Sequence, residues 1–203
     1  MTPAPVENTG IWEWFAGGSV GYLTDQEEAM YSLHAGMEYR TPGERGYHAI
    51  YLQVGFTEDD DDYSYSPNLP GAISQEASID VDIIPITLNY KYETAFTERL
   101  NGFLGAGVGV AIVDGSYDWS WSQAIPPPNN EGDGSDDWSD VRFYGEVFAG
   151  LSYEISNSFE LYTGLRYMFM DDQDREIEVT GASDYEAGLD GEFLIELGAR
   201  WHF

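Results

Sequence analysis

Leu189-Asp190-Gly191-Glu192-Phe193-Leu194-Ile195-Glu196-Leu197-Gly198-Ala199-Arg200-Trp201-His202-Phe203 ends the 203-residue chain. Its odd positions read Leu, Gly, Phe, Ile, Leu, Ala, Trp, Phe, and its even positions Asp, Glu, Leu, Glu, Gly, Arg, His. Side chains on a strand alternate between two faces, so one face here is oily throughout and the other carries acids, an arginine and a histidine. A soluble sheet can do this once. Repeated in every strand, with aromatics at the oily ends, the pattern predicts a membrane-spanning β-barrel.

Seven more segments alternate in the same way. The first covers Ile11–Leu23, with Trp12, Trp14, Val20 and Tyr22 on the oily face. The second covers Ala29–Thr41, with Tyr31, Leu33, Met37 and Tyr39 outward. The third is Gly46–Thr57 and the fourth Glu76–Glu93. The fifth, Asn101–Gly115, sends Leu104, Val108 and Val110 outward and Gly105, Gly107 and Gly109 inward. Val141–Ile155, Phe159–Met170 and the quoted ending complete the set. In the fourth segment the phase slips: Ile79, Val81 and Ile83 share one parity, and Ile84, Ile86, Leu88 and Tyr90 the other. A β-bulge near Ile83-Ile84-Pro85 would repair it, since proline within a strand often marks such a site. The connectors 42–45, 94–100 and 156–158 are short; 58–75, 116–140 and 171–183 are long, with only 24–28 short in that set. Short turns at one end and long loops at the other are the asymmetry of outer-membrane barrels.

The net charge is −29, from 37 acidic and 8 basic residues, which argues strongly against nucleic-acid binding because that needs a basic footprint. There is no cysteine, hence no disulfide and no thiolate metal site. No apolar run approaches the roughly 18 residues of a spanning helix. Met1-Thr2-Pro3-Ala4-Pro5 has neither a basic nor an apolar leader region, so the chain reads as a mature form with an added Met1, its signal peptide removed. Residues 1–10 are read as an N-terminal periplasmic segment and 11–203 as the barrel domain. At the long-loop end, windows 24–28, 57–82, 113–140 and 171–190 hold 26 of the 37 carboxylates, and Arg175 is their one cation. On the lipid face a single Arg or Lys at midplane would cost roughly 2–4 kcal/mol, and the oily positions carry almost none.

Inward positions hold both signs. Glu146, Arg166 and Glu196 lie at similar heights on neighbouring segments. Glu13 and Arg200 are expected to meet where the first and last segments close the barrel. Glu38, Arg40, Lys91, Arg142 and Glu192 also point inward. An eight-stranded barrel is just wide enough for side chains to fill, so these ten groups are expected to form a salt-bridged plug. An unpaired member would cost about 3–5 kcal/mol.

With the segments placed, the chain resembles the small outer-membrane barrels of the outer-membrane protein A/X-like superfamily. The resemblance is to the barrel alone and covers essentially the whole chain. It rests on Pro85-Ile86-Thr87-Leu88-Asn89-Tyr90-Lys91-Tyr92, on Gly102-Phe103-Leu104-Gly105-Ala106-Gly107-Val108-Gly109-Val110-Ala111, and on the ending Leu197–Phe203. It implies an eight-stranded antiparallel up-and-down barrel in the outer membrane of a Gram-negative-type bacterium, with short periplasmic turns and longer acidic extracellular loops. It also implies that Trp201 and Phe203 form the signal read by the barrel-assembly machinery. Structural, adhesive and narrow-channel members share this superfamily, so it leaves the function open.

Some such barrels are enzymes acting on lipid, which directs attention to the histidines. His34 points into the lumen with Ser32 two residues earlier. The lipid A deacylase-like order is His before Ser, both aimed at lipid, whereas here the order is reversed and the face is wrong. A catalytic base needs reach to its proton donor and access for substrate, which a plugged lumen denies. A packed His34 and no enzyme activity are the expectation, with no cofactor and no defined metal site. Divalent cations are candidate partners of Asp59-Asp60-Asp61-Asp62, Glu131–Asp137 and Asp171-Asp172-Gln173-Asp174, which offer calcium its oxygen ligands; none forms an ordered loop closed by Glu. The fifth and sixth segments are expected to continue above the membrane as a hairpin, with Trp119, Trp121 and Trp138 either packing across it or contacting a partner protein or glycan. The sequence thus predicts a monomeric, non-enzymatic barrel with a structural or surface-interacting role, its partners outer-membrane lipids and lipopolysaccharide. A narrow channel for small solutes is the alternative.

Overall fold

The computed structural model describes residues 11–40, 45–66, 73–123, 130–171, 189 and 191–203. Eight strands follow one another: β1 (Ile11–Leu23), β2 (Ala29–Arg40), β3 (Gly46–Tyr65), β4 (Ile73–Ala95), β5 (Leu100–Gln123), β6 (Asn130–Ser156), β7 (Phe159–Met170) and β8 (Glu192–His202). Each pairs antiparallel with the next, and β1 pairs with β8 to close the barrel. Closure satisfies the backbone groups an open edge would leave bare, which hydrocarbon does not tolerate. The residues 1–10 read as a periplasmic segment lie outside the described residues, as do 124–129 with their prolines and 172–188 of the last long connector.

Alternation decides what each face meets. Leu33, Leu52, Leu104, Val141 and Leu197 are at least 59% exposed, and comparable apolar side chains stand outward on every strand. Each would forgo about 1.5–3 kcal/mol if left in water, so this exterior suits only hydrocarbon. Aromatic rings bound it at both ends, as membrane girdles do. Trp12 packs with Tyr39, His48 with Tyr92 and Phe159 with Trp201 at the short-turn end; Tyr167 packs with Phe193 and Phe143 with Phe169 at the other.

Two expectations need correction. β4 carries no bulge at Ile83-Ile84-Pro85: its pairing with β5 runs unbroken through Ile83↔Val113, Ile84↔Ile112 and Pro85↔Ala111, and Val54↔Ile86 and Thr57↔Ile83 with β3 keep one register. The strand never changes face. Val81 and Ile83 point into the lumen, whose upper end is apolar, so the apparent slip records a change in what fills the barrel. The register irregularity lies instead between Glu154 and Ser156, beside a short turn. Second, much of the connector 58–75 is sheet: β3 and β4 stay paired to Tyr65↔Gln75. β5 and β6 continue as the expected hairpin, paired to Gln123↔Asn130. Beyond the barrel these strands form a four-stranded arm.

The arm begins abruptly. The outward row Ile84–Ile112–Val141 is apolar; two residues further along each strand the outward row reads Glu58–Asp82–Asp114–Ser139. Carboxylates side by side on three strands belong in water, so the hydrocarbon boundary falls between these two rows.

Candidate functional site

The lumen is filled in layers, and each layer follows from which residues take the inward parity. At the arm end, Leu23, Met30, Val81, Ile83, Val113, Met168, Met170, Leu189 and Leu194 form a dry apolar cap. Tyr144 belongs to it through its ring, and its hydroxyl donates to Glu146 Oε2 at 3.1 Å, which ties the cap to the charges below.

Beneath the cap Arg166 holds two carboxylates. Its Nη1 lies 2.5 Å from Glu146 Oε1 and its Nη2 3.1 Å from Glu196 Oε1. Nη2 also donates to Gln53 Oε1 at 3.4 Å, Thr87 Oγ1 donates to Glu146, and Ser19 Oγ to Glu196 Oε2. An aromatic layer follows: Phe15, Tyr51, Phe103, Phe148 and Tyr162, with Ala49. The Arg166 guanidinium lies 4.7 Å from the Phe148 ring centre and that of Arg200 4.3 Å from Tyr162, so the aromatic layer separates two charged ones.

The second charged layer lies toward the short turns. Lys91 bridges Glu38 and Glu93, and Ser152 donates to Glu93. Arg200 Nη1 sits 3.1 Å from Glu160 Oε1 and 3.8 Å from Glu93 Oε2; His202 Nδ1 is 3.7 Å from Glu38. Arg40 closes the rim between Glu38 (3.4 Å) and Glu13 (3.6 Å) over the Tyr47 ring.

The expected meeting of Glu13 with Arg200 does not occur. The closing pair is staggered, with Gly17 opposite Arg200 and Phe15 opposite His202, so Glu13 lies beyond the end of β8 and turns to Arg40. Glu192 sits above the network and anchors the β1–β2 turn, accepting from Asp25 N at 2.9 Å and Thr24 Oγ1 at 3.3 Å. Arg142 reaches Asp140 at 3.5 Å at the base of the arm. Sequence reading omitted Glu93 and Glu160, which share the inward parity of Lys91 and of Tyr162 but lie close to the turns. Trp201 and Phe203 are exposed on the lipid side, and Phe203 N donates to Trp14 O at 3.0 Å across the seam.

His34 is buried among Phe15, Tyr51 and Tyr162, with ring centres 5.7–6.0 Å away. Ser32 hydrogen-bonds Ser19 at 2.6 Å, and neither nitrogen of His34 has a hydrogen-bond partner, so no Ser–His pair forms. Among the described residues no group of three or more histidines and acids is arranged to hold a metal ion.

No family model matches the chain. It is 35% identical over 114 residues to uncharacterised proteins of Brucella abortus, Brucella suis and Brucella melitensis, a match covering 51% of this chain and 38% of each relative. The chain thus matches about two fifths of the length of those relatives. Among solved structures it is similar to the N-terminal β-barrel domain of Pseudomonas aeruginosa OprF, at 12% identity and TM-score 0.42, covering 96% of this chain and all of that one. It is also similar to the attachment invasion locus protein Ail of Yersinia pestis, at 12% identity and TM-score 0.43, covering 95% and 97%. Neisserial surface protein A stands alike, at 13% identity and TM-score 0.42, covering 96% and 99%. The fold is an eight-stranded transmembrane barrel.

Proposed function

We propose that this chain is a non-enzymatic outer-membrane barrel whose closed lumen serves as a rigid plinth, holding the acidic arm outside the cell for a structural or surface-contact role. The carrying observation is the stacking of the dry cap, the aromatic layer and the two ion-paired layers across one bore. A solute would have to break all of them. Breaking a buried pair costs about 3–5 kcal/mol, far above thermal energy. The exposed apolar belt with its two girdles supports placement in a bilayer, and the abrupt acidic row above it supports an arm standing in water. The strongly acidic charge argues against nucleic acid as a partner; lipids and lipopolysaccharide around the belt and the assembly machinery during insertion are part of the reading.

Single-channel recording in planar bilayers tests it. Purified protein is expected to give no steady conductance. Reproducible openings whose size changes with Arg166→Ala would replace this reading with that of a narrow channel.

A further inference from the structure

The arm has two unlike faces. On its outward side, rows cross all four strands as Asp60–Asp80–Ser116–Asp137, Asp62–Ser78–Asp118–Ser135 and Ser64–Glu76–Ser120–Asp133. On the side that continues the lumen, the rows include Ala77–Trp119–Gly134 and Gln75–Trp121–Gly132. Trp119 lies over Gly134 and Trp121 over Gly132, where a Cβ would strike the indole. Each indole therefore packs against the bare backbone of the glycine facing it. Trp119 is 39% exposed and Tyr65, in the row of Trp121, 51%. Exposed aromatic surface can serve as a contact site where it is contiguous.

Charge narrows what can cover it. Residues 57–65, 73–82, 114–123 and 130–140 carry fifteen carboxylates and no lysine or arginine, and Asp140, at the base, meets Arg142. The lumen of the same molecule shows how such surroundings are completed. There Arg166 and Arg200 each lie over an aromatic ring while their guanidinium groups meet carboxylates. On the indole side of the arm the row adjoining Trp119 includes Tyr117 and Asp136, while most of the fifteen carboxylates lie on the opposite side of the same sheet, and no lysine or arginine stands in these strand segments.

We propose that the Trp119/Trp121 face of the arm docks an extended, arginine-bearing polypeptide segment from another molecule, its guanidinium groups stacking on the two indoles within the field of the arm's carboxylates. Trp119 and Trp121 sit two apart on one strand, about 6.6–6.8 Å, the repeat at which alternate side chains leave an extended partner. Guanidinium is preferred over ammonium because it is planar, stacks and sheds water more readily. Long-range attraction brings the segment in; the rings decide where it rests. The inference rests on the reading above that the arm stands outside the membrane.

The test uses the full chain in lipid nanodiscs and a fluorescent eight-residue peptide of alternating arginine and threonine, followed by anisotropy. Saturable binding is expected, weakening with salt and falling about tenfold or more in Trp119→Ala/Trp121→Ala. Trp119→Phe/Trp121→Phe should keep most of it, and unchanged heat-modifiable gel mobility shows that each variant has folded. Equal affinity of the Ala variant and the parent would overturn the proposal in favour of diffuse charge attraction. So would a neutral maltooligosaccharide that binds with the same tryptophan dependence. Ser120→Cys, in a chain without cysteine, separates the two readings when intact cells meet an impermeant maleimide. Labelling without peptide binding sinks the partner alone; absence of labelling in a folded barrel sinks the surface reading itself.

Discussion

The lumen and the arm are built from the same strands and the same residue types, yet they handle charge in opposite ways. In the lumen every buried carboxylate for which an ion pair is described meets Arg, Lys or His, and aromatic rings back the cations. On the arm, acids face acids: Asp60 opposes Asp80, and Asp82 opposes Asp114. The difference lies in the solvent. A charge sealed in the bore has only protein to answer it, so its partner must be encoded in the chain. A charge on the arm is answered by water and salt, so the chain can leave it uncompensated and present it to another molecule.

That contrast is most severely tested at Arg166. Replacement by Met leaves Glu146 and Glu196 buried without their shared cation and should cost about 3–5 kcal/mol, read by urea unfolding in lipid or detergent. Adding Glu146→Gln and Glu196→Gln should recover most of the loss, because the penalty belongs to the stranded charges. A loss below about 1 kcal/mol, as expected of an exposed pair, would mean that water reaches the bore and that lumen and arm are alike.

Val113 lies at the joint, opposite Ile83 in the cap. Val113→Ala removes two methylene equivalents from a dry cluster and should cost about 2 kcal/mol, at about 0.8 for each. Bilayer conductance should stay absent, since the ion-paired layers below are untouched. Openings in this variant would assign closure to the cap alone and sharpen the comparison to a single layer.

Strand parity is local, and it was legible: outside the Ile79–Ile83 stretch of the fourth segment, the oily positions face outward, and the outward girdle rings were readable one by one. Three things were not. Val81 and Ile83 looked like a slipped phase because apolar residues were sorted to lipid and polar ones to lumen, while the bore itself changes from charged to dry along its length. Glu13 and Arg200 looked like partners because the stagger of a closing seam is a property of the whole ring, absent from either strand. The seating of Trp119 and Trp121 on Gly134 and Gly132 depends on the β5–β6 register, which is set by the length of the hairpin rather than by any one motif. Glu93 and Glu160, by contrast, could have been found from parity alone.

The smallest expected effect is on the arm, and its sign is opposite to that expected at Arg166. Asp60 has its carboxyl pushed above the ordinary carboxylate value of 3.8, first by partial desolvation and then by the facing Asp80 and by Glu28. A carboxyl whose pKa is raised on folding binds its proton more tightly in the folded state. Its stabilising contribution is therefore present at pH below 3.8 and is lost as pH rises through the raised folded value. Above that range the Asp60–Asp80 pair opposes folding, though water and salt screen it. Asp80→Asn should thus raise the unfolding midpoint slightly at neutral pH, leave it unchanged in acid, and lose its benefit in high salt. Thermal melts at two pH values and two salt concentrations read all three. A destabilising Asp80→Asn at neutral pH would show that this carboxylate has a cation partner after all, and the arm would then follow the rule of the lumen.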